Sequence, residues 1–250
     1  MGKRIRVDKL LSHMGFGTRS EIKKAVKQGK VTVDGKTVKD SGLIVDPGHN
    51  EIAYEGSPVV YRDVVYFMMN KPPGVISATE DGRERTVIDL LEPEDRLLEP
   101  FPVGRLDKDT VGLLLLTNDG QLAHELLSPR KHVPKTYQAR VRGDVGDDDK
   151  QRFQEGVALD DGYVTMPAEL QVLERQNQDG DVYSTIRLTI HEGKFHQVKR
   201  MFEAVDKKVV YLKRVSMGPL GLDETLPEGT YRELTEEELD SLRMHRHSGS

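Results

Sequence analysis

The segment Gly104-Arg105-Leu106-Asp107-Lys108-Asp109-Thr110-Val111-Gly112 sets two carboxylates among cations, immediately before Leu113–Leu116 and Thr117-Asn118-Asp119-Gly120. A short uninterrupted apolar run reads as a buried strand, so the acids belong to a loop that enters a core. A carboxylate at such a place needs a partner or a chemical task. Ionised, it can serve as a nucleophile or a general base. The plainer alternative is an acid that pairs with Arg105 or caps a turn. Chemistry alone does not rank Asp107 against Asp109.

A second cluster is Glu192–Phe202, which packs Lys194, Lys199 and Arg200 with Phe195, His196 and Gln197. Cations, an amide and an aromatic ring are what a phosphate backbone and an exposed base require. If this stretch is helical, Val198, Met201 and Phe202 face a core and Lys199 or Arg200 points into a cleft. Tyr137, on the alternating strand Lys135–Val141, can stack on a base or move a proton, though a tyrosine on a sheet more often fills a core. Asn70-Lys71-Pro72-Pro73-Gly74 reads as a strand ending in a stiff turn that displays an amide and an amine. Other motifs fail. In His191-Glu192-Gly193-Lys194-Phe195-His196 the histidines stand five apart rather than the four of a zinc helix, and Gly193 opposes a helix. There is no phosphate-binding GxxxxGK[ST] and no GxSxG elbow.

The elements that must position these groups follow from periodicity. Residues 5–14 have helical spacing, and Thr18-Arg19-Ser20-Glu21 is a capping-box pattern opening a second helix closed by Gly29. Val31-Thr32-Val33 and Lys36-Thr37-Val38 flank Asp34-Gly35, a hairpin signal. A strand at Ile52-Ala53-Tyr54 and a linker at Glu55-Gly56-Ser57-Pro58 place a domain boundary near residue 60. Beyond it, strands are expected at Val64–Met69, Leu113–Thr117, Thr136–Arg142, Ala168–Arg175, Tyr183–Ile190 and Val209–Val215. Helices are expected at Thr86–Leu91, Gln121–Leu127, Asp147–Gly156, Lys194–Ala204 and Glu236–Leu242, with a disordered tail from Met244. Without steady βαβ alternation, the pattern is α+β with a largely antiparallel sheet.

The net charge of −5 is unevenly spread. Residues 1–39 carry eleven Lys/Arg against three acids, a net +8, whereas residues 223–240 carry eight acids against Arg232 alone. A basic end of this kind suggests a polyanion partner. The chain has no cysteine, which excludes disulfides and thiolate chemistry and fits a cytoplasmic setting. The first residues have no apolar signal-peptide core, and no run approaches a membrane span.

GRLDxxTxGLLLLTNDG at 104–120, NKPPGV at 70–75, KTY at 135–137 and EGKFHQVKRMF at 192–202 together resemble the pseudouridine synthases of the RsuA class. Residues 1–60 resemble an S4 RNA-binding domain, and 61–243 the synthase domain. Tyr66–Pro72, Ser128–His132 and Pro227–Thr235 are most similar to the members acting on 16S rRNA of the small subunit, at uridine 516. The alternatives are a large-subunit 23S synthase of the same class or a non-catalytic ribosome-assembly factor. The resemblance implies isomerisation of uridine to pseudouridine with no cofactor and no metal. It ranks the acids by placing the catalytic aspartate on Asp107. It puts the active-site tyrosine on Tyr137 and the basic partner on Lys199, where relatives have arginine. A lysine pairs as a point charge rather than a fork. Asp107, ionised, would act at C1′ as nucleophile or at C2′ as base, and Arg105 would fill the gap left by the flipped base or hold its phosphate. Asn70, Lys71, Lys194, His196, Gln197 and Arg200 are the expected RNA contacts near the cleft. Arg4, Arg6, Lys9, Arg19, Lys23, Lys24, Lys27 and Lys30 are those of the basic module. A monomer, working on rRNA alone or in an assembly particle, is expected.

Overall fold

A computed structural model of the chain describes residues 4–247. They divide into two compact units: residues 4–65 with 91–100, and residues 66–90 with 101–247.

In the first unit, Ile5–Arg6 (β1) pairs with Ile44–Val45 (β4), so the helix expected from residue 5 starts at Val7 (α1, Val7–His13). The second helix (α2, Arg19–Lys27) opens on the expected capping box: Thr18 N–H donates to Glu21 at 2.7 Å, and Glu21 N–H donates to Thr18 Oγ1 at 3.3 Å. Its 3.6-residue period buries Ile22, Ala25 and Val26 and leaves Arg19, Lys23, Lys24 and Lys27 in water. Val31–Val33 (β2) and Lys36–Thr37 (β3) form the hairpin, with Asp34 and Gly35 both at positive φ as a type I′ turn requires. Ile52–Tyr54 (β5) pairs with β2 and turns directly into Ser57–Pro58 (β6). The stretch expected as a linker is therefore another tight hairpin, with Glu55 and Gly56 at positive φ. The unit also extends beyond residue 60. Val59 and Tyr61 pack on its core of Val7, Leu10, Leu11, Ile22, Val26 and Val31. Arg62 bonds Asp95 at 2.6 Å, beside the short helix Pro93–Arg96 (α3).

The second unit is built on nine strands: Tyr66–Lys71 (β7), Phe101–Pro102 (β8), Val111–Thr117 (β9), Lys135–Arg142 (β10), Glu169–Gln178 (β11), Asp181–Ile190 (β12), Lys208–Met217 (β13), Leu220–Gly221 (β14) and Tyr231–Glu233 (β15). Their order is β11-β12-β10-β13-β9-β7-β15, with β14 on β13 and β8 on β9. Every neighbouring pair is antiparallel except β13 and β9, which run parallel through Lys213↔Val111 and Arg214↔Gly112. This is the α+β architecture with a mixed, mainly antiparallel sheet. The parallel seam explains a glycine of the acidic motif. Gly112 has φ +101°, and a Cβ there would lie 2.3 Å from the Arg214 carbonyl oxygen. Across the seam the fully buried Arg214 donates from Nε to Leu113 O at 2.9 Å.

All seven residues of β9 are buried, as its leucine run requires. Leu113 and Leu115 join Met68, Met217, Val133 and Leu122 and Leu126 of the helix Gly120–Leu127 (α4) in one core. Leu242 belongs to the same core. It anchors the last helix (α7, Glu236–His247), which runs past Met244, the expected start of a disordered tail. Residues 248–250 of that expected tail lie outside the described residues. The helices Asp147–Glu155 (α5) and Gln197–Glu203 (α6) meet through Phe153 and Phe202, ring edge to face at 5.0 Å. The helix expected at Thr86–Leu91 is a single 3₁₀ turn, Ile88–Leu90. Among the described residues no helix is long and apolar enough to cross a membrane.

Candidate active site

Asp107 lies on the loop between β8 and β9, and its chain neighbours are tied down on both sides. Before it, Leu106 N–H donates to Ser77 Oγ at 3.0 Å, and Ser77 Oγ–H donates to Leu106 O at 2.9 Å. After it, Gly74 N–H reaches Lys108 O at 2.8 Å, and Thr110 N–H closes a turn onto Asp107 O at 3.0 Å. Lys71, at the end of β7, sends its amine to the carbonyls of Thr110 (2.8 Å), Pro72 (3.0 Å) and Lys108 (3.3 Å). A buried ammonium is tolerated only when its donors are satisfied, and these three carbonyls match its three N–H groups. Burial pushes the Lys71 amine down to about 8, against the upward pull of Asp109 and Asp107.

Two side chains from the 192–202 segment meet the loop. Lys199 Nζ stands 3.1 Å from Asp107 Oδ2 and 2.7 Å from Asp109 Oδ1, and His196 Nε2 stands 3.4 Å from Asp107 Oδ1. One ammonium thus bridges both acids of the motif. Burial opposes the charge on Lys199, but its bonds with Asp109 and Asp107 outweigh this and hold its amine above the usual lysine value. The bond from Lys199 likewise holds Asp109 below the ordinary carboxylate value. Asp109 is the open member, with its side chain 73% exposed against 27% for Asp107.

The helix carrying Lys199 begins at Gln197, three residues later than expected, because His196 sits in the left-handed region (φ 49°). That conformation turns the imidazole toward Asp107. The bend is braced from within. Gln197 donates from Nε2 to Glu192 at 2.8 Å and accepts from Lys194 N–H at 2.9 Å, while Glu192 also takes Tyr163 O–H (2.6 Å) and Met166 N–H (2.8 Å). Arg200 joins Asp160 and Asp161 and donates to Phe195 O at 3.1 Å. Lys194 lies over the Tyr163 ring, 4.3 Å from its centroid.

Several residues expected to meet RNA are therefore committed inside the protein. Asn70 and Lys71 are not displayed by their turn. Both are buried, and Asn70 donates to Leu226 O at 2.8 Å. Gln197 is also buried, and Arg200 faces two aspartates rather than a cleft. Arg105 and Lys194 are exposed. Tyr137 falls on the buried side of β10, next to Arg214 in register. In the first unit Arg4, Lys9, Arg19, Lys23, Lys24 and Lys27 are exposed. Arg6 is paired with Asp8 at 2.7 Å and Lys30 with Glu55 at 2.6 Å. Sequence reasoning missed Ser77, which carries no motif. It also missed the hold of Lys71 on the loop and the share of Asp109 in Lys199.

Comparison with known proteins matches residues 65–204 to the RNA pseudouridylate synthase family and residues 5–50 to the S4 domain. An uncharacterised RNA pseudouridine synthase, YtzG of Bacillus subtilis, is 55% identical over 95% of this chain and 98% of its own length. The ribosomal small subunit pseudouridine synthase A of Escherichia coli is 39% identical over 95% of this chain and all of its own. Among solved structures, a pseudouridylate synthase superposes with a TM-score of 0.65 at 36% identity, covering 95% of this chain and 99% of that one. The loop that presents Asp107 and the helix that presents Lys199 both lie inside the matched segment, and the chain belongs to the RNA pseudouridylate synthase family, isomerases that here follow an S4 domain.

Proposed function

We propose that this synthase isomerises a uridine of small-subunit 16S rRNA, the 516-type site, with Asp107 as its catalytic carboxylate. The observation that carries the assignment of Asp107 is its position: an acid on a doubly anchored loop, 3.1 Å from a partly buried lysine ammonium. Attack at C1′ and proton removal at C2′ both need that carboxylate ionised, and Lys199 sets an opposite charge beside it. Lys199 is its counter-ion. Tyr137 lies under the base and assists removal of the C5 proton. Arg105 occupies the space left when the target leaves its stack, which itself costs a few kcal/mol. Exposed Arg19, Lys23, Lys24 and Lys27 bind phosphates without reading sequence. The choice of small-subunit rRNA rests on the relatives that carry that name. A monomer in the cytoplasm, acting on rRNA or on an assembling particle, is consistent with this chemistry.

The test is a map of pseudouridines in rRNA from cells with and without the protein, complemented by wild type or Asp107→Asn. One small-subunit site should vanish on deletion, return with the wild type and stay absent with the variant, while the purified variant still binds rRNA. Substantial turnover by Asp107→Asn would remove the assignment of Asp107. Loss of a large-subunit site instead would overturn the choice of substrate.

A further inference from the structure

Phe195 is 76% exposed, more than any other large hydrophobic side chain among the described residues. It is held there. Its carbonyl accepts from Arg200 Nη1 at 3.1 Å, and Arg200 is fastened to Asp160 and Asp161. Its ring lies flat on His196, with centroids 3.7 Å apart and planes 18° from parallel. The imidazole is in turn 3.4 Å from Asp107. One face of the phenyl ring is therefore covered by a residue of the candidate active site and the other is open to water. A solvated apolar ring gains nothing for folding, whereas a fixed aromatic face beside a nucleic-acid site is a stacking platform for a base.

We propose that Phe195, backed by His196, stacks on the base of a nucleotide next to the target uridine and so positions the RNA for Asp107. The ring order specifies a neighbour rather than the target. The target ribose must reach Asp107, which meets the imidazole at Nε2. A base stacked on the open phenyl face lies about 3.4 Å beyond that ring, near the usual step between stacked bases. This places it roughly two ring layers from His196, where an adjacent, unflipped nucleotide would sit. Such an interaction is made equally before and during the reaction, so its loss raises KM with little change in kcat. The inference rests on the RNA synthase reading of the site and not on which ribosomal subunit is modified.

The chain has no tryptophan, so Phe195→Trp creates a single fluorescent reporter at this position. Its emission should be quenched by a single-stranded RNA oligonucleotide and unaffected by an abasic oligonucleotide of equal length and charge. On an rRNA transcript, Phe195→Ala should raise KM about ten- to hundred-fold, Phe195→Trp should retain wild-type KM, and Phe195→Leu, which keeps bulk but not the ring, should behave like alanine. Equal quenching by the abasic oligonucleotide, unchanged KM in Phe195→Ala, or full function in Phe195→Leu would each overturn the stacking role. The fluorescence arm needs no turnover. A wild type that leaves rRNA unmodified while its tryptophan variant is quenched only by bases would count against the substrate and not against Phe195.

Discussion

The basic residues of the two units are put to opposite uses. On α2, Arg19, Lys23, Lys24 and Lys27 stand in solvent. In the synthase unit, Lys71 and Arg214 are fully buried on backbone carbonyls, Lys199 bridges two aspartates, and Arg200 is held by two more. A solvated cation attracts any phosphate and is screened by salt. A buried one gives little affinity, but it fixes the shape of whatever its hydrogen bonds reach. Net charge would present both sets as one RNA-binding signal, and burial separates them.

The contrast can be broken most sharply at Lys71. Lys71→Met should remove the ammonium from the carbonyls of Pro72 and Thr110, at about 1–3 kcal/mol for each group left unsatisfied, while Lys108 O keeps the Gly74 N–H. The thermal midpoint should fall by about 10 °C, and turnover should drop at least ten-fold at a temperature where the variant is fully folded. A variant as stable and active as wild type would show that the buried lysine does not hold the loop. A smaller effect is expected on α2. Replacing Lys23, Lys24 and Lys27 together by alanine should leave stability and kcat unchanged. It should weaken RNA binding and flatten the dependence of log K on log salt by about 0.7–0.9 for each phosphate that is no longer neutralised. An unchanged salt slope would take α2 out of the RNA footprint. The smallest effect belongs to Asp109→Asn, because that acid is mostly exposed and its ion pair is screened. Its folded value lies below the ordinary 3.8, so its contribution to stability is present above that pH and is lost as pH falls through the lower, folded value. The variant should lose a few-fold in activity at neutral pH and show a shallower loss of stability below about pH 4. An unaltered acid limb in urea titrations would mean that the ion pair with Lys199 does not stabilise the Asp109 carboxylate.

The parts of this molecule legible in its sequence are those governed by short periods. The leucine run of β9, the capping box at Thr18 and the Asp34-Gly35 hairpin are local patterns, and the structure has all three. The proximity of the 104–112 loop to the 192–202 segment is implied only by resemblance, since no local rule joins them. What stays hidden depends on partners far along the chain. Lys71 reads as a displayed amine until the carbonyls of Lys108 and Thr110 arrive beneath it. Ser77 has no neighbouring signal, yet it bonds both backbone groups of Leu106. His196 reads as helical, and only the left-handed turn braced by Glu192 and Gln197 starts the helix later. The tail from Met244 is polar enough to suggest disorder, but Leu242 carries its helix onward from the core.

The anchoring of Leu106, Lys108 and Thr110 has one more consequence. With the residues around Asp107 fastened to separate parts of the fold, this loop has little freedom to remodel itself around a substrate. Accommodation then falls to the nucleic acid. In the proposed reaction the loop is a rigid die, and the ease with which a nucleotide swings out of its helix would weigh on which uridines are converted. Selectivity of this kind is read from the mechanical softness of an RNA junction as much as from its letters.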